Sequence, residues 1–149
     1  MKKEYSNSTL KELGFLIGTW RTEGEVQETS TSKPIKIVGT DIYEWTLNGS
    51  FILHRVDVMM GDVKTEVLEF IGEYDRENKI YQMRSFDSTG TFTTMRASFD
   101  NSIFEIDGGK VRAKLSPRQT SMNAYWEISE NGKNWKPWMV LTLSRSSKL

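Results

Sequence analysis

From Phe92 to Phe99 the chain alternates, with Phe92, Thr94, Arg96 and Ser98 on one side and Thr93, Met95, Ala97 and Phe99 on the other. The same period of two runs through Met122, Ala124, Trp126 and Ile128, and again through Met139, Leu141 and Leu143. Side chains of a β-strand point alternately to opposite faces, so these segments are predicted strands. Only near the N-terminus does the spacing lengthen. There Leu10, Leu13, Leu16 and Ile17 recur every three to four residues, which predicts one short helix with Ser8 as N-cap and Gly18 as its end.

From Thr19 onward, short runs rich in β-branched and aromatic residues are separated by turn signals. Asn48-Gly49 favours positive φ at both positions, as a type I′ hairpin requires. Gly61-Asp62, Asp75 to Asn78, Ser88-Thr89-Gly90, Asp100-Asn101, Gly108-Gly109 and Asn131-Gly132 continue the series. The runs between them give about ten strands with tight connections. An open meander of that length would leave two unpaired edges, and closure removes both. The expected fold class is therefore all-β, an antiparallel up-and-down barrel preceded by a short helix. Pro34 falls before a strand and Pro117 in a turn, whereas Pro137 lies inside the last run and predicts a bulge there. Alternation fails in Ile35 to Thr40, as it does in barrels with a partly polar interior.

At 149 residues, one domain over 1–149 is expected, with residues 1–7 as a flexible N-terminus. No window approaches the roughly 20 apolar residues of a transmembrane helix. Twenty basic against twenty acidic residues leave no electrostatic footprint for nucleic acid. Lys2 and Lys3 are followed by no apolar stretch, so no signal peptide is read, and a cytoplasmic location is expected. The absence of cysteine excludes disulfides, thiolate metal sites and cysteine nucleophiles.

Chemistry-bearing residues are few. His54 is the sole imidazole and shares strand parity with Ile52, Val56 and Val58, which places it on a buried side as a ligand contact or base. A metal site would need further histidine, cysteine or carboxylate ligands, and none is expected. Arg84 and Arg96 lie mid-strand; an inward guanidinium would hold a ligand carboxylate. Gln82, Arg84 and Phe86 share one face and Tyr81, Met83 and Ser85 the other, so only one set lines the interior. Trp45 and Trp126 are aromatic wall candidates. Glu44, Glu66, Glu69 and Asp57 read as solvated carboxylates of the outer face. Phosphate loops, Gly-x-Ser-x-Gly elbows and HExxH runs are absent.

Gly18-Thr19-Trp20, after a short helix, resembles the Gly-x-Trp start of calycin-type barrels such as lipocalins and fatty-acid-binding proteins. That resemblance implies that Trp20 closes one end of the barrel with Arg145 of the last strand across it. The stretches Trp45 to Phe51 and Phe70 to Asp75, then Tyr81, then Ser85 to Thr91, resemble the DUF1579 domain family, which has a lipocalin-like barrel. The likeness spans about residues 10–100 and implies no activity. The nitrobindin group opens similarly and binds haem through a histidine toward its C-terminal end. Here the one histidine lies in the third strand, so no cofactor is expected. The resulting expectation is binding of a small hydrophobic or amphipathic molecule inside the barrel, an acid if Arg84 faces inward. His54, Arg84, Tyr81, Trp45, Trp126 and Arg96 are the contact candidates. The alternatives are an enzyme using His54 as a base and a filled barrel acting as a homodimer.

Overall fold

The computed structural model describes residues 7–27 and 33–146. Ten strands follow a short helical segment: β1 (Gly18–Val26), β2 (Ile35–Thr46), β3 (Phe51–Met60), β4 (Val63–Asp75) and β5 (Ile80–Asp87), then β6 (Phe92–Asp100), β7 (Ile103–Asp107), β8 (Val111–Pro117), β9 (Ser121–Ile128) and β10 (Lys136–Arg145). Each pairs antiparallel with its neighbours in sequence, and β1 pairs with β10 to close the barrel. Every strand therefore has two partners and the sheet has no open edge. The expected irregularity at Pro137 is present as a register shift between Pro137 and Met139. Pro117 ends β8 rather than occupying a turn.

One local expectation is corrected. The helix begins at Asn7, so Ser8 lies within α1 (Asn7–Leu10), and the chain then tightens into a 3₁₀ segment over Lys11–Leu16. Gly14 sits inside that segment, where its backbone entropy disfavours a continuous α-helix. Ile17 is already extended, and Gly18 opens β1 instead of ending the helix. The β2–β3 connection has the expected positive φ at Asn48 and Gly49 and extends it back to Leu47: the Gly49 amide donates to the Thr46 carbonyl and the Ser50 amide to the Leu47 carbonyl, both at 3.1 Å, so two overlapping turns join Thr46 to Phe51. Of the N-terminal stretch expected to be flexible, residues 1–6 lie outside the described residues.

The helical segment plugs one end of the barrel. Leu13 and Leu16 are fully buried, each burial being worth about 1.5–3 kcal/mol. The buried Trp20 donates its indole N–H to the Leu16 carbonyl at 2.7 Å. The Arg145 guanidinium lies 4.2 Å from the Trp20 ring and donates to the carbonyls of Ile17 (2.8 Å) and Phe15 (2.9 Å). It thereby satisfies carbonyls that the ending helix leaves without partners. From β5, the Tyr81 hydroxyl donates to the Thr9 carbonyl at 2.9 Å and lies 2.5 Å from a Glu12 carboxylate oxygen. Around this plug packs the main core, with Ile52, Ile71, Tyr81, Phe104 and Met122. A smaller cluster of Ile37, Val58 and Met139 packs toward the other end. Among the described residues, no helix is long and apolar enough to cross a membrane.

Candidate functional site

Between the plug and the far end lies an interior cavity of about 400 Å³. Its wall is mostly apolar, with Val56, Val58, Met83, Leu115 and Leu141 among the contributing residues. That volume falls within the range of small-molecule sites. Toward the far end the inward residues Val56, Met60, Val111 and Trp138 are half-exposed.

A buried polar cluster interrupts this wall, which also bears Thr65, Ser85, Asp87 and Thr93. Hairpin register sets Tyr43, His54 and Glu69 in a row across β2, β3 and β4, and Asp41 lies two residues along β2 on the same face. His54 Nε2 is 2.6 Å from Asp41 Oδ2, and its Nδ1 is 3.0 Å from Glu69 Oε1. The Thr22 hydroxyl of β1 donates to the other Asp41 oxygen. Tyr43 stacks on the imidazole with centroids 3.9 Å apart and planes 8° from parallel. The His54 side chain is only 12% exposed, and Asp41, Tyr43 and Glu69 are buried. Burial alone would lower the His54 pKa, but hydrogen bonds and charge from Asp41 and Glu69 overcome it and hold the group at about 9. At neutral pH the ring is therefore an imidazolium donating one N–H to each carboxylate. It has no lone pair with which to accept a proton. Burial, reinforced by Asp41 and Glu69, raises the Tyr43 phenol well above its ordinary value.

The structure brings His54 and Trp126 to the cavity and places the other contact candidates elsewhere. Arg84 lies on the outer face, where Nε and Nη2 donate to the two oxygens of Glu73 at 2.6 and 3.0 Å. Glu73 reaches it from an irregular stretch of β4 in which the residue has positive φ and the register shifts. Of the two faces of β5, it is the one bearing Tyr81, Met83 and Ser85 that turns inward. Arg96 is exposed on the outer face, opposite Asp107 of β7. Tyr81 is inward but belongs to the plug, and Trp45 is 40% exposed beside Gly14 at the plugged end. Trp20 and Arg145 are the groups that lock that end.

Glu69 corrects another expectation, for it is an inner-face carboxylate, whereas Glu44, Glu66 and Asp57 do lie outside, near Arg55 or Lys64. Asp41, Tyr43 and Thr22 were not singled out by the sequence. The available signal was parity: Glu69 alternates with Val67 and Ile71, and Asp41 and Tyr43 with Ile37.

The chain matches no protein-family model and no curated protein sequence. Among solved structures it is similar to Rv2717c from M. tuberculosis, with a TM-score of 0.71 and 8% identity over 92% of this chain and 96% of that one. At that identity the likeness is one of fold.

Proposed function

We propose that the protein binds a small amphipathic molecule inside its barrel, apolar body against the wall and polar head at the Asp41–His54–Glu69 cluster. One observation carries the reading: a cavity of about 400 Å³ with a mostly apolar wall meets a buried, convergent polar cluster at Asp41, His54 and Glu69. Such a wall with a few convergent polar groups is the usual composition of a ligand site. The closed ten-strand barrel, resembling the calycin-type barrels, fits a carrier of this kind. The rival in which His54 acts as a base is disfavoured, because both of its ring nitrogens face carboxylates and the ring is protonated at neutral pH. Native mass spectrometry of protein purified from its own host tests the carrier reading. A stoichiometric small molecule, released on denaturation, is the expected result. A clean apo mass together with no binding of any amphipath offered in solution would reject it.

A further inference from the structure

The charges that line the cavity are unequal. Asp41 and Glu69 sit at its polar cluster and Asp87 of β5, whose Oδ1 accepts from the Thr89 and Thr91 amides of the following turn, lies at the wall, whereas among the described residues no lysine or arginine lines it. Among the described residues His54 is the single cationic side chain there, and it is shared between Asp41 and Glu69. The imidazolium balances only one of them. A ligand carboxylate would enter facing uncompensated negative charge, with no guanidinium fork to receive it.

Two buried acceptors also remain open. Asp41 uses one oxygen for Thr22 and the other for His54. Glu69 uses one oxygen for His54, and its second oxygen has no hydrogen-bond partner among the described residues. The Tyr43 hydroxyl likewise has none, although Tyr43 is only 5% exposed and lines the cavity. A buried polar atom without a partner is costly, so a ligand that brings donors to both oxygens gains hydrogen bonds that the described protein groups do not make. Toward the half-exposed end, Trp126 and Trp138 meet edge to face at 5.8 Å. Their indole rings offer faces that attract cations.

We propose that the ligand is an amphipathic base, with an apolar body in the barrel and a protonated amine seated between Glu69 and Tyr43. This rests on the carrier reading above and narrows it to one chemical class. An ammonium group carries only donors and one positive charge, which matches two open acceptors and one excess negative charge. The groups that face the seat are Thr22 from β1, Asp41 and Tyr43 from β2, His54 from β3 and Glu69 from β4. Thr65 of β4, Ser85 and Asp87 of β5 and Thr93 of β6 complete the polar lining of the cavity.

The test is calorimetric titration of the full chain at pH 7 with two matched sets: octylamine, octanoate and octanol, and phenethylamine, 3-phenylpropionate and 2-phenylethanol. The amines are expected to bind at least tenfold more tightly than the matched acids, with the alcohols between them. Glu69→Gln is expected to shrink the amine advantage over the matched acids and alcohols to within threefold. Tyr43→Phe, which keeps the stack on His54, is expected to weaken the amines selectively. Acids binding as tightly as amines, or alcohols tightest of all, would overturn the amine assignment while leaving the carrier reading intact. No binding by any member of either set, joined to a clean native mass, would reject both. If Glu69→Gln does not fold, the wild-type ranking and Tyr43→Phe still decide.

Discussion

His54 keeps its proton because each of its nitrogens faces a carboxylate, and each carboxylate tolerates burial because it faces His54. Removing one partner of a buried ionic group leaves the others uncompensated, which costs about 3–5 kcal/mol, whereas exchanging the whole group for neutral side chains is often near neutral. His54→Leu is therefore expected to lower stability by about 3–5 kcal/mol in urea unfolding at pH 7. The triple variant Asp41→Asn, His54→Leu, Glu69→Met is expected to recover most of that loss. Equal destabilisation of single and triple variants would show that size, not charge, makes the position sensitive. The pH dependence follows from the raised folded-state pKa of about 9 against an ordinary 6.5. This contribution is present in full below about pH 6.5 and is lost as pH rises through 9, amounting to about 3 kcal/mol at 1.36 kcal/mol per unit. The urea midpoint of the wild type should fall between pH 7 and 10 relative to that of the triple variant. Parallel curves would contradict the imidazolium assignment.

The plug is where element-level forces concentrate. Gly18 has φ +141°, a conformation side chains disfavour, and a Cβ there would overlap the Arg145 guanidinium. Arg145 in turn holds two backbone carbonyls and covers Trp20. Arg145→Ala is expected to destabilise by about 2 kcal/mol, since hydrogen bonds to charged groups contribute about 1.5–3 kcal/mol. It should also speed amide exchange over residues 9–17 more than in β6 to β8. Arg145→Lys restores charge but not the two-carbonyl fork, so recovery should be partial. Uniform exchange across the barrel would mean the plug is not a separable unit. Much of this element was legible: the three-to-four spacing of Leu10, Leu13 and Leu16 marked a short helical segment, the resemblance pointed to Trp20 and Arg145 as closure, and the alternating runs with their turn dipeptides marked the strands. Fine structure was not. That Leu47 joins Asn48 and Gly49 at positive φ, so that two turns overlap, is a feature local composition does not mark. Yet the register that followed from the Asn48-Gly49 and Gly61-Asp62 turns sets Tyr43, His54 and Glu69 in one row. The site was encoded in strand pairing rather than in any contiguous motif.

At the scale of the whole barrel, the sign of the interior depends on which face of each strand turns inward. For β5 the sequence offered two faces of comparable polarity, one with Arg84 and one with Ser85, and only closure of the sheet selected between them. That choice removed the arginines from the interior and left carboxylates as its charged lining. A wall of this kind also trades stability for space, because side chains around a void lose contacts that a filled core would have. Ala124 of β9 is buried, lines the cavity and lies opposite Leu115 and Leu141 on the neighbouring strands. Ala124→Leu would send three more carbons into the void. If the void is the ligand site, the empty variant should be more stable by about 0.5–2 kcal/mol, as cavity-filling changes commonly are. At about 2–4 °C per kcal/mol for a chain of this size, that is visible in a thermal melt. Its affinity for octanol and octylamine should fall together by tenfold or more, since the lost space serves both bodies alike. A destabilised variant with unchanged affinities would place Ala124 against packed side chains and the bound molecule elsewhere. Higher stability with weaker binding would instead show that the barrel holds its cavity open at a cost in packing, for the sake of what it carries.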